Sequence, residues 1–302
     1  VYKRLARCRR GAPWSRHHEA MQDDVDGLVR LLDLEPIEVN IFRGVSPDED
    51  RQRIFGGQVA GQALVAAVRT VDDDRPVHSL HAYFLRPGDP NMPVLYEVDR
   101  IRDGRSFTTR RVVAIQHGRP IFNLSASFHV HEEGFDHADP LPAVPDPDEL
   151  PSRADEWAAA GRADEWAARP HPLDIRYVTA SPFRRDEPLP PVQQVWFRAD
   201  GRLPDDQILH TCLLTYASDM TLLDTTLLPH GTGAADTRIM MASLDHAMWF
   251  HGPFRADDWL LYDQHTPAAG GARGLATGRV FTHDGRLIAS VVQEGLIRRI
   301  GS

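Results

Sequence analysis

Two similar α+β halves, each a long antiparallel sheet wrapped around a central helix, are what this sequence predicts. Three observations carry the prediction. The stretch Ser79-Leu80-His81-Ala82-Tyr83-Phe84-Leu85-Arg86-Pro87 is echoed by Ser243-Leu244-Asp245-His246-Ala247-Met248-Trp249-Phe250-His251-Gly252-Pro253. Downstream of each lies a turn of the same make, Gly118-Arg119-Pro120-Ile121 and Gly285-Arg286-Leu287-Ile288, flanked by strand-like residues. The order helix-then-strands also occurs twice. A spacing above 100 residues is too long for a solenoid repeat and points to a duplicated domain whose halves pack as a built-in dimer.

Residues 1–20 are rich in Arg, carry no acid before Glu19 and lack the apolar run of a signal sequence, so a disordered basic extension is expected. Val25, Leu28, Val29 and Leu32 then fall at helical spacing, a short amphipathic helix. Phe55-Gly56-Gly57-Gln58 opens a second helix, to about Val71, that is small or aliphatic on nearly every side. A helix apolar all round is buried all round, and its small residues let a sheet approach closely. Strands are expected at 79–86, 93–101, 106–117 and 120–130, joined by Arg102-Asp103-Gly104 and His117-Gly118. The first unit therefore spans 21–133, a sheet around one helix, the hotdog arrangement.

Residues 134–170 read as a connection, acidic and rich in proline. It contains a tandem duplication, Arg153-Ala154-Asp155-Glu156-Trp157-Ala158-Ala159 and Arg162-Ala163-Asp164-Glu165-Trp166-Ala167-Ala168. On one continuous helix a nine-residue step sets the two tryptophans about 180° apart, which predicts a surface insertion and not a binding platform. The second unit, 171–302, restarts with the strand Gln194-Val195-Trp196-Phe197-Arg198. Pro204-Asp205-Asp206 signals a helix start, and Ile208, Leu209, Leu213, Tyr216 and Ala217 continue that helix to Ser218-Asp219. Strands return at 239–251, 258–264, 272–283 and 286–298, giving a double hotdog.

Composition removes several chemistries. The chain has 302 residues, 42% apolar and 25% charged, which is ordinary for a globular protein, and its net charge of −9 argues against a nucleic-acid partner. No apolar run reaches the roughly 18 residues of a membrane span. Cys8 and Cys212 are the only cysteines, so no disulfide framework or cysteine zinc site is expected and a reducing cytoplasm fits; Cys212, in an apolar helix, reads as a core thiol. Lys3 is the only lysine and sits in a tail, which excludes a Walker loop, a pyridoxal Schiff base and a lysine base within the fold. Neither G-x-S-x-G nor H-E-x-x-H appears.

Against this background three polar positions of the second half stand out. Asp219 ends an apolar helix, and a buried carboxylate is either paired or functional. Gln293 lies in Ser290-Val291-Val292-Gln293-Glu294-Gly295, where the first half reads Asn123-Leu124-Ser125-Ala126-Ser127-Phe128. Ser243 is the weakest of the three, because Ser79 matches it. His246 and His251, with Asp245, suggest a metal site at first sight, but strand alternation sends them to opposite faces. They read as an active-site wall or a satisfied hydrogen-bond pair, and no metal is expected.

The chain resembles the acyl-CoA thioesterase II family of double-hotdog hydrolases from about residue 25 to its end, the tryptophan duplication excepted. The resemblance rests on Phe55-Gly56-Gly57-Gln58, Tyr83-Phe84-Leu85-Arg86-Pro87-Gly88, Arg102-Asp103-Gly104 with Ser106-Phe107, Tyr216-Ala217-Ser218-Asp219, Asp245-His246 with Met248-Trp249-Phe250-His251, and Val292-Gln293-Glu294-Gly295. It implies hydrolysis of acyl-CoA thioesters, of medium to long chain, to free fatty acid and coenzyme A. It places the family's Asp, Thr or Ser, and Gln on Asp219, Ser243 and Gln293, with Ser243 where many bacterial members carry Thr. No cofactor is implied, and hotdog proteins assemble further, so a homo-oligomer is expected by analogy.

The chemistry is coherent on its own terms. A thiol of pKa about 8.5 leaves as thiolate, so a Ser-His-Asp triad is not needed. An ionised Asp219 can take a proton from water while the Ser243 hydroxyl and Gln293 amide hold that water. The Gly56-Gly57 helix start offers backbone N–H groups to an oxyanion, with Gln58 and His81 assigned to substrate binding beside it. Arg86, Arg105, Arg110 and Arg111 are either coenzyme A phosphate clamps or solvated strand arginines. Two rivals are an enoyl-CoA hydratase on the same fold, which needs a His near Asp219 that the following residues do not supply, and a non-catalytic acyl-CoA-binding module.

Overall fold

The computed structural model describes residues 16–47, 52–167, 169–181, 185, 187–233 and 236–300, the side chains of 16–20 and 166 excepted. Most of the expected basic extension, residues 1–15, thus lies outside the described residues. Helix α1 (Arg16–Leu32) covers residues 16–20 of the expected extension and buries Val25, Leu28 and Leu32 on one face. A hairpin that periodicity did not reveal follows, β1 (Glu35–Glu38) and β2 (Ile41–Gly44), turned at Asn40 with φ 63°. Helix α2 (Gly56–Val68) is next, with ten buried residues.

Four strands complete the first half, β3 (Val77–Phe84), β4 (Val94–Asp103), β5 (Phe107–Gln116) and β6 (Arg119–His129). His117 and Gly118 both take positive φ, 49° and 69°, the primed hairpin turn whose twist suits the flanking strands. Two short helices, α3 (Arg153–Ala159) and α4 (Ala163–Ala167), follow the connecting segment. The second half then runs β7 (Leu173–Tyr177), β8 (Val192–Ala199), α5 (Gln207–Ser218), a 3₁₀ segment (Leu223–His230) and β9 (Ile239–Ser243). It ends with β10 (Asp245–Phe250), β11 (Leu260–Gly270), β12 (Arg273–Thr282) and β13 (Leu287–Arg299).

The strands form one continuous sheet in the order β1-β2-β4-β5-β6-β3-β10-β13-β12-β11-β8-β7, with β9 paired to β13. The join between halves is the antiparallel pair of the two repeated strands, with Leu80 opposite Met248. The fold is the double hotdog the sequence predicts, and α2 and α5 lie together on its inner face. They run antiparallel, because Gly57 meets Tyr216 while Gly61 meets Cys212. A Cβ on Gly57 would lie 2.2 Å from the Tyr216 carbonyl oxygen, and one on Gly61 would lie 3.2 Å from that of Cys212. The small residues of α2 thus admit a second helix as well as the sheet.

Two expectations for the connection need correction. Residues 141–150 do not merely cross between halves. Leu141, Val144 and Leu150 pack on Trp196, Leu261 and Phe281, and Trp196 Nε1 donates to the Pro145 carbonyl at 3.0 Å. The segment is a strap that covers outward-facing apolar residues of β8, β11 and β12. The tandem duplication, in turn, is not one helix. Ser152 caps α3 in a capping box, and Gly161, at φ 73°, breaks the chain before α4. Trp157 is only 9% exposed, so this part of the insertion is packed against the body.

Because the obstacle at Gly57 is backbone, the helix pair has little room to adjust. Gly57→Ala is expected to cost about 1–3 kcal/mol, the usual range for overpacking, and to lower the midpoint of thermal unfolding. Gly134→Ala, where nothing lies within 4 Å, serves as the control and should leave the midpoint in place.

Candidate active site

Helix α5 delivers the first element of the site. Asp206 caps its start by accepting from the amides of Ile208 and Leu209, and the helix ends with Asp219 as its C-cap at φ −84°, ψ −4°. A carboxylate at a helix C-terminus opposes the dipole of its own helix. The antiparallel partner compensates, because α2 starts there and the Gly57 N–H donates to Asp219. Phe55, at the N-cap of α2, offers no side-chain acceptor, which leaves those amides available.

Strands β9 and β13 deliver the rest. Ser243 pairs with Gly295, two residues from Gln293 on the same side of β13. Ser243 Oγ donates to Asp219 Oδ1 at 3.0 Å, and Gln293 Nε2 donates to the same oxygen at 2.5 Å. Gln293 is fully buried, yet its Oε1 has no partner. A buried amide oxygen in that condition calls for an ordered water or a ligand donor.

Burial dominates the electrostatics of Asp219. Desolvation pushes its pKa up to about 6, against the opposing pull of the Gln293, Ser243 and Gly57 donors and the Arg53 charge. Geometry and pKa agree on a carboxylate that is ionised at neutral pH and holds its charge weakly. His246 behaves oppositely. Its Nε2 lies 2.8 Å from Ser218 Oγ, and burial alone pushes its pKa down to about 4, so it is neutral. His251 pairs with Ser290 on the exposed face, so the two histidines neither meet nor wall the site.

A cavity of about 500 Å³ opens against Asp219 and Ser243, between the halves. Ile54, Phe84, Phe122 and Leu223 give it an apolar lining, and Arg53 and Arg86 bring positive charge to it. Size and lining match a small-molecule site, predominantly apolar with few convergent polar groups.

The structure brings together Asp219, Ser243, Gln293, Gly56, Gly57 and Arg86, and it separates the other candidates. Gln58 is buried but turned away, donating to the Val45 carbonyl at 3.2 Å and Ser46 Oγ at 3.1 Å. His81 stands on the outer face of β3, edge-on to Trp249, because Leu80 and Ala82 take the inward positions. Arg105 is exposed in the β4–β5 turn and does not line the cavity. Arg110 is neither clamp nor solvated. It is 2% exposed and donates to Thr70, Arg102, Thr109 and Asp103. Arg111 pairs with Asp99 at the surface. Sequence reasoning missed Arg53, whose Nη2 donates to the Met241 carbonyl at 2.8 Å; its place just ahead of the Phe55-Gly56-Gly57 helix start was the available signal. Cys212 is a core thiol whose pKa burial pushes up.

Comparison with known proteins gives a consistent result. The family described as acyl-CoA thioesterase matches residues 172–296, and the family described as acyl-CoA thioesterase N-terminal domain matches residues 46–129. The human acyl-coenzyme A thioesterase 8 is 43% identical over 281 residues, covering 89% of this chain and 88% of that protein. Acyl-CoA thioesterase 2 of Haemophilus influenzae is 40% identical over 288 residues, 92% of this chain and 99% of that one. Among solved structures, an acyl-CoA thioesterase II of Mycobacterium marinum is 50% identical, with a TM-score of 0.75, over 89% of this chain and 97% of that one.

The carboxyl of Asp219 is expected to titrate with a midpoint near pH 6, read as the carboxyl ¹³C resonance that disappears in Asp219→Asn. A midpoint near 4 would place the group in open solvent.

Proposed function

The chain belongs to the acyl-CoA thioesterase family, and on that premise we propose that Asp219, Ser243 and Gln293 hold and activate one water for attack on an acyl-CoA thioester. The observation that supports this most is the convergence of Ser243 and Gln293 on one oxygen of Asp219 beside an apolar cavity. With its amide hydrogen given to Asp219, Gln293 keeps Oε1 as an acceptor for one of the water's protons, and the other proton faces the Asp219 carboxylate, with Ser243 holding that carboxylate in place.

Asp219, ionised, takes a proton as the water oxygen bonds to the thioester carbon, and the carbonyl oxygen becomes an oxyanion. The tetrahedral centre collapses by breaking the C–S bond. Coenzyme A leaves as thiolate, which its pKa of about 8.5 permits, and takes up the proton that Asp219 received. General-base help of this kind is worth about 10²–10⁴ in rate.

The oxyanion donor is assigned to the α2 N-terminus. Gly57 is already committed to Asp219, so Gly56, which lines the cavity and follows an N-cap without a side-chain acceptor, supplies the amide. A Cβ at Gly56 would lie 2.6 Å from Asp219 Oδ2, which accounts for a glycine there. Arg53 and Arg86, on the cavity lining, are assigned to the coenzyme A phosphates. His81 and Arg105 do not line the cavity and take no part in the reaction. Among the described residues no histidine borders the cavity, so the hydratase rival finds no second group there. The reading includes a cytoplasmic enzyme that assembles as a homo-oligomer, in keeping with the cysteine-poor composition and by analogy with other hotdog proteins.

Release of free thiol from fatty acyl-CoA tests the reading. Asp219→Asn and Gln293→Ala should lower kcat by about 10²-fold or more, with the fold unchanged by circular dichroism; retained turnover in Asp219→Asn would refute the assignment. The base must be ionised to act. Because its pKa is raised to about 6, kcat/KM should be level above pH 7 and fall about tenfold per unit below 6. The raised pKa also makes the folded state favour the protonated form, so this group's contribution to stability declines as pH rises from about 4 through 6. Asp219→Asn should accordingly unfold at the same temperature as the parent or a higher one at pH 7.5. A lower midpoint would mean that the carboxylate holds the fold together.

A further inference from the structure

A second cavity of about 590 Å³ lies behind the first, and Phe55 and Met220 appear in the walls of both. We propose that the acyl chain of the substrate passes between Phe55 and Met220 into this second cavity, so that long chains are selected there; the inference rests on the proposed hydrolase reading.

The partition is thin and movable. Phe55 is half-buried and meets Tyr216 edge-on at 5.1 Å, and Met220, next to Asp219, is 38% exposed. An unbranched methionine with three rotatable bonds fills irregular gaps and yields by rotamer change, on the picosecond-to-nanosecond scale for exposed side chains.

The far side is apolar where a chain would lie. Leu28 and Leu31 of α1, Val45, Leu173, Ile175 and Trp157 contribute to it, with charged groups such as Asp23 and Arg169 also on its boundary. Trp157 belongs to the tandem insertion, so the duplicated segment supplies a wall to the cavity. A competing route would run between α5 and the sheet, which Met220 also borders. That gap is only about 10 Å³, closed by Ala217, Phe197 and Tyr262. Space therefore favours the route toward α1 and the insertion.

Two substitutions fill the second cavity without touching the catalytic residues. Val45 is 58% exposed and lines it, so Val45→Trp adds bulk without emptying the core. Gly27 on α1 lines it as well, and its Cβ would meet only Arg30, at 3.7 Å, so Gly27→Phe is a second and independent plug. Each methylene denied an apolar wall costs about fourfold in binding. Kinetics with hexanoyl-CoA and palmitoyl-CoA should therefore show kcat/KM for the long substrate falling about tenfold or more. The short substrate should stay within about twofold, because it never leaves the first cavity. Equal losses for both substrates in both variants, or an unchanged palmitoyl-CoA value, would overturn the proposal. Should the parent protein hydrolyse neither substrate, the hydrolase reading fails by itself. Calorimetric binding of laurate then decides the tunnel. Binding lost in the plugged variants supports it, and binding unaffected by them overturns it.

Discussion

The start of α2 lies against the end of α5, and the site depends on that contact. Asp219 is held at the negative end of its own helix, a poor place for a carboxylate, and the positive end of the neighbouring helix makes that place tolerable. The compensation requires the helices to run antiparallel and to approach until a backbone amide reaches the carboxylate. Only glycine permits that approach, since a methyl group at Gly57 would occupy the space of the Tyr216 carbonyl. The duplicated fold is what brings the two helix ends together. One half provides the acid and the other provides the amides, so neither half by itself contains the site.

That arrangement leaves the carboxylate in a chosen imbalance. Three donors and a nearby guanidinium favour its charge, and burial opposes all of them and prevails. A more generous set of donors would hold the ionised form too firmly for it to accept a proton, and a fully apolar site would leave it protonated at neutral pH. A pKa of about 6 lies between these extremes, where the proposed base is mostly ionised at pH 7 and still basic. The cost appears in the fold, because a desolvated carboxylate and an unpaired Gln293 oxygen are features that selection for stability alone would remove.

Much of this was legible in the sequence. The repeated strand announced the duplication, and the all-round apolar character of residues 56–68 announced a buried helix. Asp219 stood out because it interrupts an apolar helix, and Gln293 because the corresponding stretch of the first half has no such amide. His81, Arg105 and Arg110 failed for different reasons. Arg105 lies in a turn away from the cavity, while for His81 and Arg110 the face of a strand that points inward depends on register, and a shift of one residue exchanges the faces. Arg110 took the inward face and was consumed by Thr70 and Asp103. The strap over Trp196 and the burial of Trp157 were hidden because they depend on contacts between distant segments. Proline content and helical phase cannot report such contacts.

The two helix ends also explain why the proposed chemistry sits at one place and not at two. The duplication creates two junctions, the start of α2 against the end of α5 and the start of α5 near the end of α2. At the second, Asp206 caps α5 and takes the Ile208 and Leu209 amides for itself. The end of α2 carries Thr70, whose hydroxyl and carbonyl both receive the Arg110 guanidinium. These groups all find partners within the protein. At the first junction Phe55 provides no cap, the Gly57 amide goes to Asp219, and the Gln293 oxygen is still without a partner. A saturated end holds the fold, whereas an unsaturated end can bind. The difference between the copies is therefore one of hydrogen-bond accounting at a helix terminus: α5 starts at a capping aspartate, and α2 starts at a phenylalanine followed by two glycines.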